Sequence, residues 1–126
     1  MKKILIVDDV LGWRNYHKET LFEFFPEAEL TTASSAREAY DIIMQNNNSP
    51  FDVIITDLHM EPDFEPKYAG EWLIEQIKTF KSHLNTKIII ISAAYNIRTI
   101  AENYGANCIP KSTAIKFPQA YEEILN

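Results

Sequence analysis

The chain alternates short apolar runs with longer stretches in which apolar positions recur every three or four residues. Ile4-Leu5-Ile6-Val7, bounded by charge on both sides, is too short for a helix and reads as a buried strand. After it, Trp13, Tyr16, His17, Thr20, Leu21 and Phe24 share one face of an amphipathic helix that Pro26 stops. Glu29 to Ala33 is a second, weaker strand. Ser35-Ala36-Arg37-Glu38 fits a capping box, in which the side chains of Ser35 and Glu38 each accept from the other's backbone N–H at a helix start. That helix carries an apolar stripe of Ala36, Ala39, Tyr40, Ile43 and Met44, and Asn46-Asn47-Asn48-Ser49-Pro50 ends it.

Val53-Ile54-Ile55 predicts a third strand. The polar stretch from His59 to Tyr68, with Pro62 and Pro66, is long for a connection in a compact domain. It leads to a helix whose predicted buried face is Leu73, Ile77, Phe80 and Leu84. Ile88 to Ile91 is β-branched at every position, which suits a strand covered on both faces. Ile97, Ile100, Ala101 and Tyr104 mark a fourth helix ending at Gly105. Cys108-Ile109 makes a brief fifth strand, and Phe117, Tyr121, Ile124 and Leu125 define a final helix with Pro118 in its first turn. A βα unit repeated five times, with a helical crossover after each strand, predicts a parallel sheet with helices packed on both faces.

Composition narrows the class. A chain of 126 residues, 46% hydrophobic, suits one domain spanning 1–126. The net charge of −6, with basic residues scattered, argues against direct nucleic-acid binding. The single cysteine, Cys108, has no partner for an internal disulfide, which fits a reducing compartment. The apolar run after Met1-Lys2-Lys3 stops at Asp8-Asp9, too early for an export signal. No stretch approaches the roughly 20 apolar residues of a membrane span. A cytoplasmic protein without membrane insertion is expected.

Candidate chemistry follows from where the polar residues fall. In an open α/β sheet, ligands bind beyond the carboxyl ends of the strands. Asp8 and Asp9 follow the first strand, Asp57 ends the third, Ser92 ends the fourth and Lys111 follows the fifth. Taken singly, each has a commoner explanation: an Asp pair as a turn or helix cap, a lysine as a solvated charge. Their joint placement on one edge is what points to chemistry. Three adjacent carboxylates repel unless a cation neutralises them, and Mg²⁺ prefers hard oxygen ligands of this kind together with phosphate oxygens. Lys111 and the Ser92 hydroxyl suit phosphoryl oxygens, and an Asp beside a metal and a lysine can act as a nucleophile that carries a phosphoryl group.

Other residues offer less. His17, His59 and His83 show no metal-ligand spacing. Gly12, Gly70 and Gly105 form no phosphate-cradling loop. Cys108 reads as a buried strand residue rather than a redox sensor. The aromatic residues read as core, with Trp13 and Trp72 partly exposed near the site.

Four motifs together, Ile4-Leu5-Ile6-Val7-Asp8-Asp9, Asp52-Val53-Ile54-Ile55-Thr56-Asp57-Leu58-His59-Met60, Ile90-Ile91-Ser92-Ala93 and Gly105-Ala106-Asn107-Cys108-Ile109-Pro110-Lys111, resemble the receiver domains of two-component response regulators, the CheY-like superfamily. The resemblance covers the whole chain. It implies a flavodoxin-like (βα)₅ three-layer sandwich with strand order 2-1-3-4-5. It also implies that Asp57 accepts a phosphoryl group from a phosphohistidine on a sensor histidine kinase or phosphotransfer protein. Asp9, Asp57 and the backbone carbonyl of His59 would ligate Mg²⁺, Asp8 largely through water, while Ser92 and Lys111 take the phosphoryl oxygens and small Ala93 leaves room. Such a domain is not an enzyme in the usual sense, although it catalyses its own phosphorylation and dephosphorylation. The implied readers are a downstream protein target or a fused output domain, with a homodimer also open.

The chain departs from the family pattern in output rather than in acceptor chemistry. Cys108 stands where relatives carry a switch aromatic, Ser112 replaces the proline after the lysine, the segment from Ser92 to Lys111 is short, and the loop after Asp57 is extended by Glu61 to Tyr68. Two other readings use part of the same residue set. One is a pseudo-receiver that binds proteins without being phosphorylated. The other is a haloacid-dehalogenase-type phosphatase, whose acid pair would follow the lysine and whose acid/base Asp would stand where His59 does.

Overall fold

Nearly every residue of three central strands is apolar, and the fold buries both faces of each. The computed structural model describes residues 2–60 and 68–126. Strands β1 (Lys3–Val7), β2 (Glu29–Ala33), β3 (Val53–Thr56), β4 (Lys87–Ser92) and β5 (Asn107–Pro110) form one parallel sheet in the order β2-β1-β3-β4-β5. This is the flavodoxin-like α/β architecture expected from the sequence. Alternate residues face opposite ways along a strand. Leu5, Val7, Ile54, Ile88 and Ile90 therefore join one core, whereas Ile4, Ile6, Val53, Ile55, Ile89, Ile91 and Ile109 join the other.

Helices α1 (Leu11–Phe24), α2 (Ala36–Gln45), α3 (Ala69–Ile77), α4 (Ile97–Tyr104), α5 (Lys111–Lys116) and α6 (Gln119–Leu125) cover the two faces. The first core is sealed by Ala39 and Ile43 of α2, Leu73 and Ile77 of α3, and Ile97 and Ile100 of α4. The second is sealed by Leu21 of α1, Ala114 of α5, and Tyr121 and Leu125 of α6. At the start of α2 the Ser35 hydroxyl accepts from Glu38 N–H at 3.0 Å. The reciprocal half of the expected box is shifted by one residue: Glu38 Oε1 accepts from Ser34 N–H at 2.8 Å rather than from Ser35.

Three helical expectations are corrected. Met44 is 50% exposed and lies outside the buried stripe of α2. The third helix ends at Ile77, and the chain then forms a single 3₁₀ turn, Lys81–His83, which buries His83 and leaves Leu84 70% exposed. The final helix starts at Gln119 rather than at Phe117, and a separate short helix, α5, precedes it. Phe117 breaks the hydrogen-bonded run with φ −133° and ψ 74°, and Pro118 caps α6, so Phe117 is exposed rather than buried. The short α5 was invisible as a pattern because it buries a single residue, Ala114. The extended segment Glu61 to Lys67 lies outside the described residues. Among those described, no helix is long and apolar enough to cross a membrane.

Candidate functional site

The β ladder runs one residue past the ends of β1 and β3. Asp8 N–H donates to Ala33 O at 3.2 Å, and Asp57 N–H donates to Val7 O at 3.0 Å. The backbones of Asp8 and Asp57 are thereby pinned on adjacent strands, where the strand order reverses and an open α/β sheet leaves a crevice. Gly70, in the first turn of α3, presses on the same place. Its N–H donates to Leu58 O at 3.1 Å, and a Cβ at position 70 would come within 2.1 Å of the Asp57 carbonyl oxygen. Only glycine lets α3 approach the end of β3 this closely.

The side chains then converge. Carboxylate oxygens of Asp8, Asp9 and Asp57 all lie within 4.8 Å of one another. Asp8 is fully buried, Asp57 nearly so, and Asp9 half-buried at the rim. Asp8 Oδ1 accepts from Val10 N–H at 2.9 Å, and Asp57 Oδ1 accepts from Leu58 N–H at 2.7 Å. Lys111, the first residue of α5, spans the remaining oxygens, with Nζ 2.9 Å from Asp57 Oδ2 and 3.1 Å from Asp8 Oδ2. The first contact is a hydrogen bond. The second is an ion pair whose geometry falls short of one, so Asp8 Oδ2 is buried without a hydrogen-bond partner. The Lys111 ammonium also sits over the Trp13 ring, 4.8 Å from its centroid.

Burial pushes the Asp8 carboxyl above the ordinary aspartate range and Asp57 adds to this, against the lowering effects of the Val10 N–H and Lys111. Burial alone would lower the Lys111 pKa. The hydrogen bond and charge of Asp57, with the charge of Asp8, outweigh it and raise the ammonium above its usual value. Asp8 and Asp57 thus share the Lys111 ammonium. A buried carboxylate oxygen left short of a donor beside two more carboxylates is the donor set that suits a hard divalent cation.

A cleft of about 270 Å³ opens over these groups, lined by Asp9, Val10, Asp57, His59, Met60, Ala93 and Lys111. His59 therefore borders the site, with its exposed ring edge-on to Tyr68 at 4.4 Å between centroids. Ser92 is buried, its Oγ accepting from Ala94 N–H at 3.2 Å, and its neighbour Ala93 forms the cleft wall. Of the two tryptophans expected near the site, Trp13 reaches it through Lys111, whereas Trp72 packs against Tyr40 of α2. Cys108 is half-buried against the first core.

A family model described as the response regulator receiver domain matches residues 4–114. The chain belongs to the response regulator receiver family. Several solved structures resemble it. A response regulator receiver domain protein from Clostridium thermocellum is 29% identical, with both chains covered in full and a TM-score of 0.70. Response regulator TrrA from Thermotoga maritima, solved in complex with Mg²⁺ and BeF, is 26% identical over 98% of this chain and 99% of that one, with a TM-score of 0.74. The signal receiver domain of a DNA-binding response regulator from Colwellia psychrerythraea shares the fold at 21% identity and a TM-score of 0.78, covering 99% of this chain and 98% of that one. A search of curated proteins found no match.

The receiver domain's most unexpected site neighbour is a residue the sequence pattern assigned only to a buried face. His17 of α1 is 1% exposed, and its Nε2 lies 3.9 Å from Asp8 Oδ2. Its Nδ1 lies 2.7 Å from the Tyr121 hydroxyl of α6. Burial, aided by the Lys111 charge, holds the imidazole pKa down at about 3, so the ring is neutral. Burial likewise raises the Tyr121 phenol, which keeps its proton. The one trace of this in the sequence is a titratable residue within the apolar stripe of the helix that follows Asp8-Asp9.

Proposed function

We propose that this receiver domain accepts a phosphoryl group on Asp57 from a phosphohistidine of a sensor histidine kinase or phosphotransfer protein, and that the change alters its contacts with a downstream protein or output domain. The observation that carries this reading is the convergence of the Asp8, Asp9 and Asp57 oxygens within 4.8 Å, with Lys111 from a third element bridging Asp8 and Asp57. A bound Mg²⁺ would neutralise the acidic cluster and the incoming phosphoryl oxygens. Asp9, Asp57 and the His59 backbone carbonyl would hold it, with Asp8 acting through water.

The protein's own residues have defined tasks. The Asp57 carboxylate attacks phosphorus as the donor's N–P bond breaks, and the backbone N–H of Leu58 fixes the carboxylate's orientation. Lys111 exchanges part of its contact with Asp57 and Asp8 for a phosphoryl oxygen. Ser92 uses its oxygen to accept from Ala94 N–H, which leaves its O–H available to a phosphoryl oxygen. Ala93, in the cleft wall, keeps the approach open.

Incubated with Mg²⁺ and a small phosphodonor, the protein should gain one phosphate by intact mass, and Asp57→Asn should gain none. A folded wild-type protein that takes up no phosphate would instead support the pseudo-receiver reading, which Cys108 in the place of the switch aromatic favours. Output through α1 and the extended loop, rather than through an inward-turning aromatic, predicts changes in exchange protection on phosphorylation outside α4 and β5. Changes confined to α4 and β5 would overturn that route.

A further inference from the structure

The groups facing Asp8 come from three directions, and one of them has no part in phosphoryl chemistry. Val10 N–H takes Oδ1, Lys111 approaches Oδ2 from α5, and His17 approaches the same Oδ2 from α1 at 3.9 Å. The imidazole packs against Trp13 at 5.5 Å and Tyr121 at 5.7 Å between centroids, and it is anchored at Nδ1 by the Tyr121 hydroxyl. A buried ring whose two nitrogens are each aimed at a polar group does more than fill space. An apolar side chain would pack there without the cost of desolvating an imidazole.

Its tautomer follows from its neighbours. A lone pair at Nε2 would face a carboxylate and be repelled, whereas an N–H there is attracted. Nδ1 is then the acceptor, and the Tyr121 hydroxyl donates to it. At 3.9 Å the Nε2–H contact is longer than a hydrogen bond and acts electrostatically while Lys111 shares Oδ2. We infer that His17, oriented by Tyr121, is a positioning residue for Asp8, whose Nε2–H keeps Oδ2 in place for a cation when Lys111 turns to other partners. The inference rests on the reading of the acidic cluster as a Mg²⁺ site, and it assigns α1 and α6 a direct connection to that site. Donors behind metal-ligating groups commonly alter affinity by roughly 10- to 100-fold.

The test is Mg²⁺ affinity by calorimetry, with thermal melting in chelator as a control for folding. His17→Leu and His17→Phe should each weaken Mg²⁺ binding by about tenfold, the second keeping the ring volume in case the first does not fold. Their metal-free melting temperatures should be unchanged or higher, which separates positioning from packing. His17→Gln, whose amide can still donate to Oδ2, should stay within about threefold of wild type, with Tyr121→Phe between the two. Wild-type affinity in the folded Leu or Phe variant, or a loss in His17→Gln as large as theirs, would overturn the role of His17 alone. No Mg²⁺ binding by the wild type would overturn the reading of the cluster itself, and this inference with it.

Discussion

Lys111 Nζ lies 2.9 Å from Asp57 Oδ2, so the first residue of α5 supplies the charge that makes the Asp57 carboxylate tolerable beside Asp8. Removing that charge leaves Asp8 and Asp57 without the cation they share. Lys111→Met should destabilise the metal-free protein by about 2 kcal/mol, less than the roughly 3–5 kcal/mol of a fully enclosed pair, because the cleft admits water. Saturating Mg²⁺ should restore most of the loss. Denaturation with and without Mg²⁺ checks this, and an equal deficit in both conditions would contradict it.

Asp8 has the opposite sign. Its folded pKa is raised, chiefly by burial, so the folded state holds a proton the unfolded chain has released, and that stabilisation disappears as pH rises through the raised value. Asp8→Asn mimics the protonated carboxyl and can still accept from Val10 N–H. At neutral pH without divalent cation the variant should be more stable than wild type, by about 1–3 kcal/mol. It should also gain less from Mg²⁺. A variant less stable than wild type in chelator would count against a net cost of burying the Asp8 charge.

His17 governs acid sensitivity. Its folded pKa of about 3 lies below the ordinary 6.5, so between these values the unfolded chain binds a proton that the folded chain does not. The stability this contributes is complete above pH 6.5 and is lost on acidification toward about 3. While only the unfolded state is protonated, the loss is about 1.4 kcal/mol per pH unit. His83, lowered by burial, acts in the same direction. Urea midpoints above and below pH 6.5 should show a shallower acid decline in His17→Leu than in wild type; parallel declines would show that the ring protonates in the fold.

Two glycines should respond oppositely to alanine. At Gly70 the added methyl would meet the backbone of Asp57 and Leu58, neither of which can yield without moving the end of β3. Gly70→Ala should cost about 1–3 kcal/mol and slow phosphate uptake. At Gly12, in α1, nothing lies within 4 Å of the new methyl, so Gly12→Ala should stabilise by about 0.4–1 kcal/mol. Equilibrium denaturation of the two variants side by side provides the comparison.

The five strands, the parallel sheet and the strand-end placement of Asp8, Asp9, Asp57 and Lys111 were legible because each depends on local pattern. Four consecutive isoleucines have few alternatives to a doubly covered strand, and an Asp directly after such a run must emerge at its carboxyl end. Helix ends were less legible. Leu84 and Phe117 fit a helical spacing, yet the chain leaves α3 before Leu84 and enters α6 only after Phe117, since a periodic pattern does not record where hydrogen bonding starts and stops.

The sequence by itself determined the receiver architecture, the edge on which the site lies and the residues that carry its charge. Only the tertiary structure decided how those charges are shared. Lys111 bridges Asp57 and Asp8 across an interval of 54 residues to the first and more to the second, Gly70 presses on the Asp57 carbonyl, and His17 meets both Asp8 and Tyr121, which stands 104 residues away in the chain. Spacing along a helix can place His17 on a buried face. What it meets there depends on α6 closing over the same core, and no local periodicity encodes that contact.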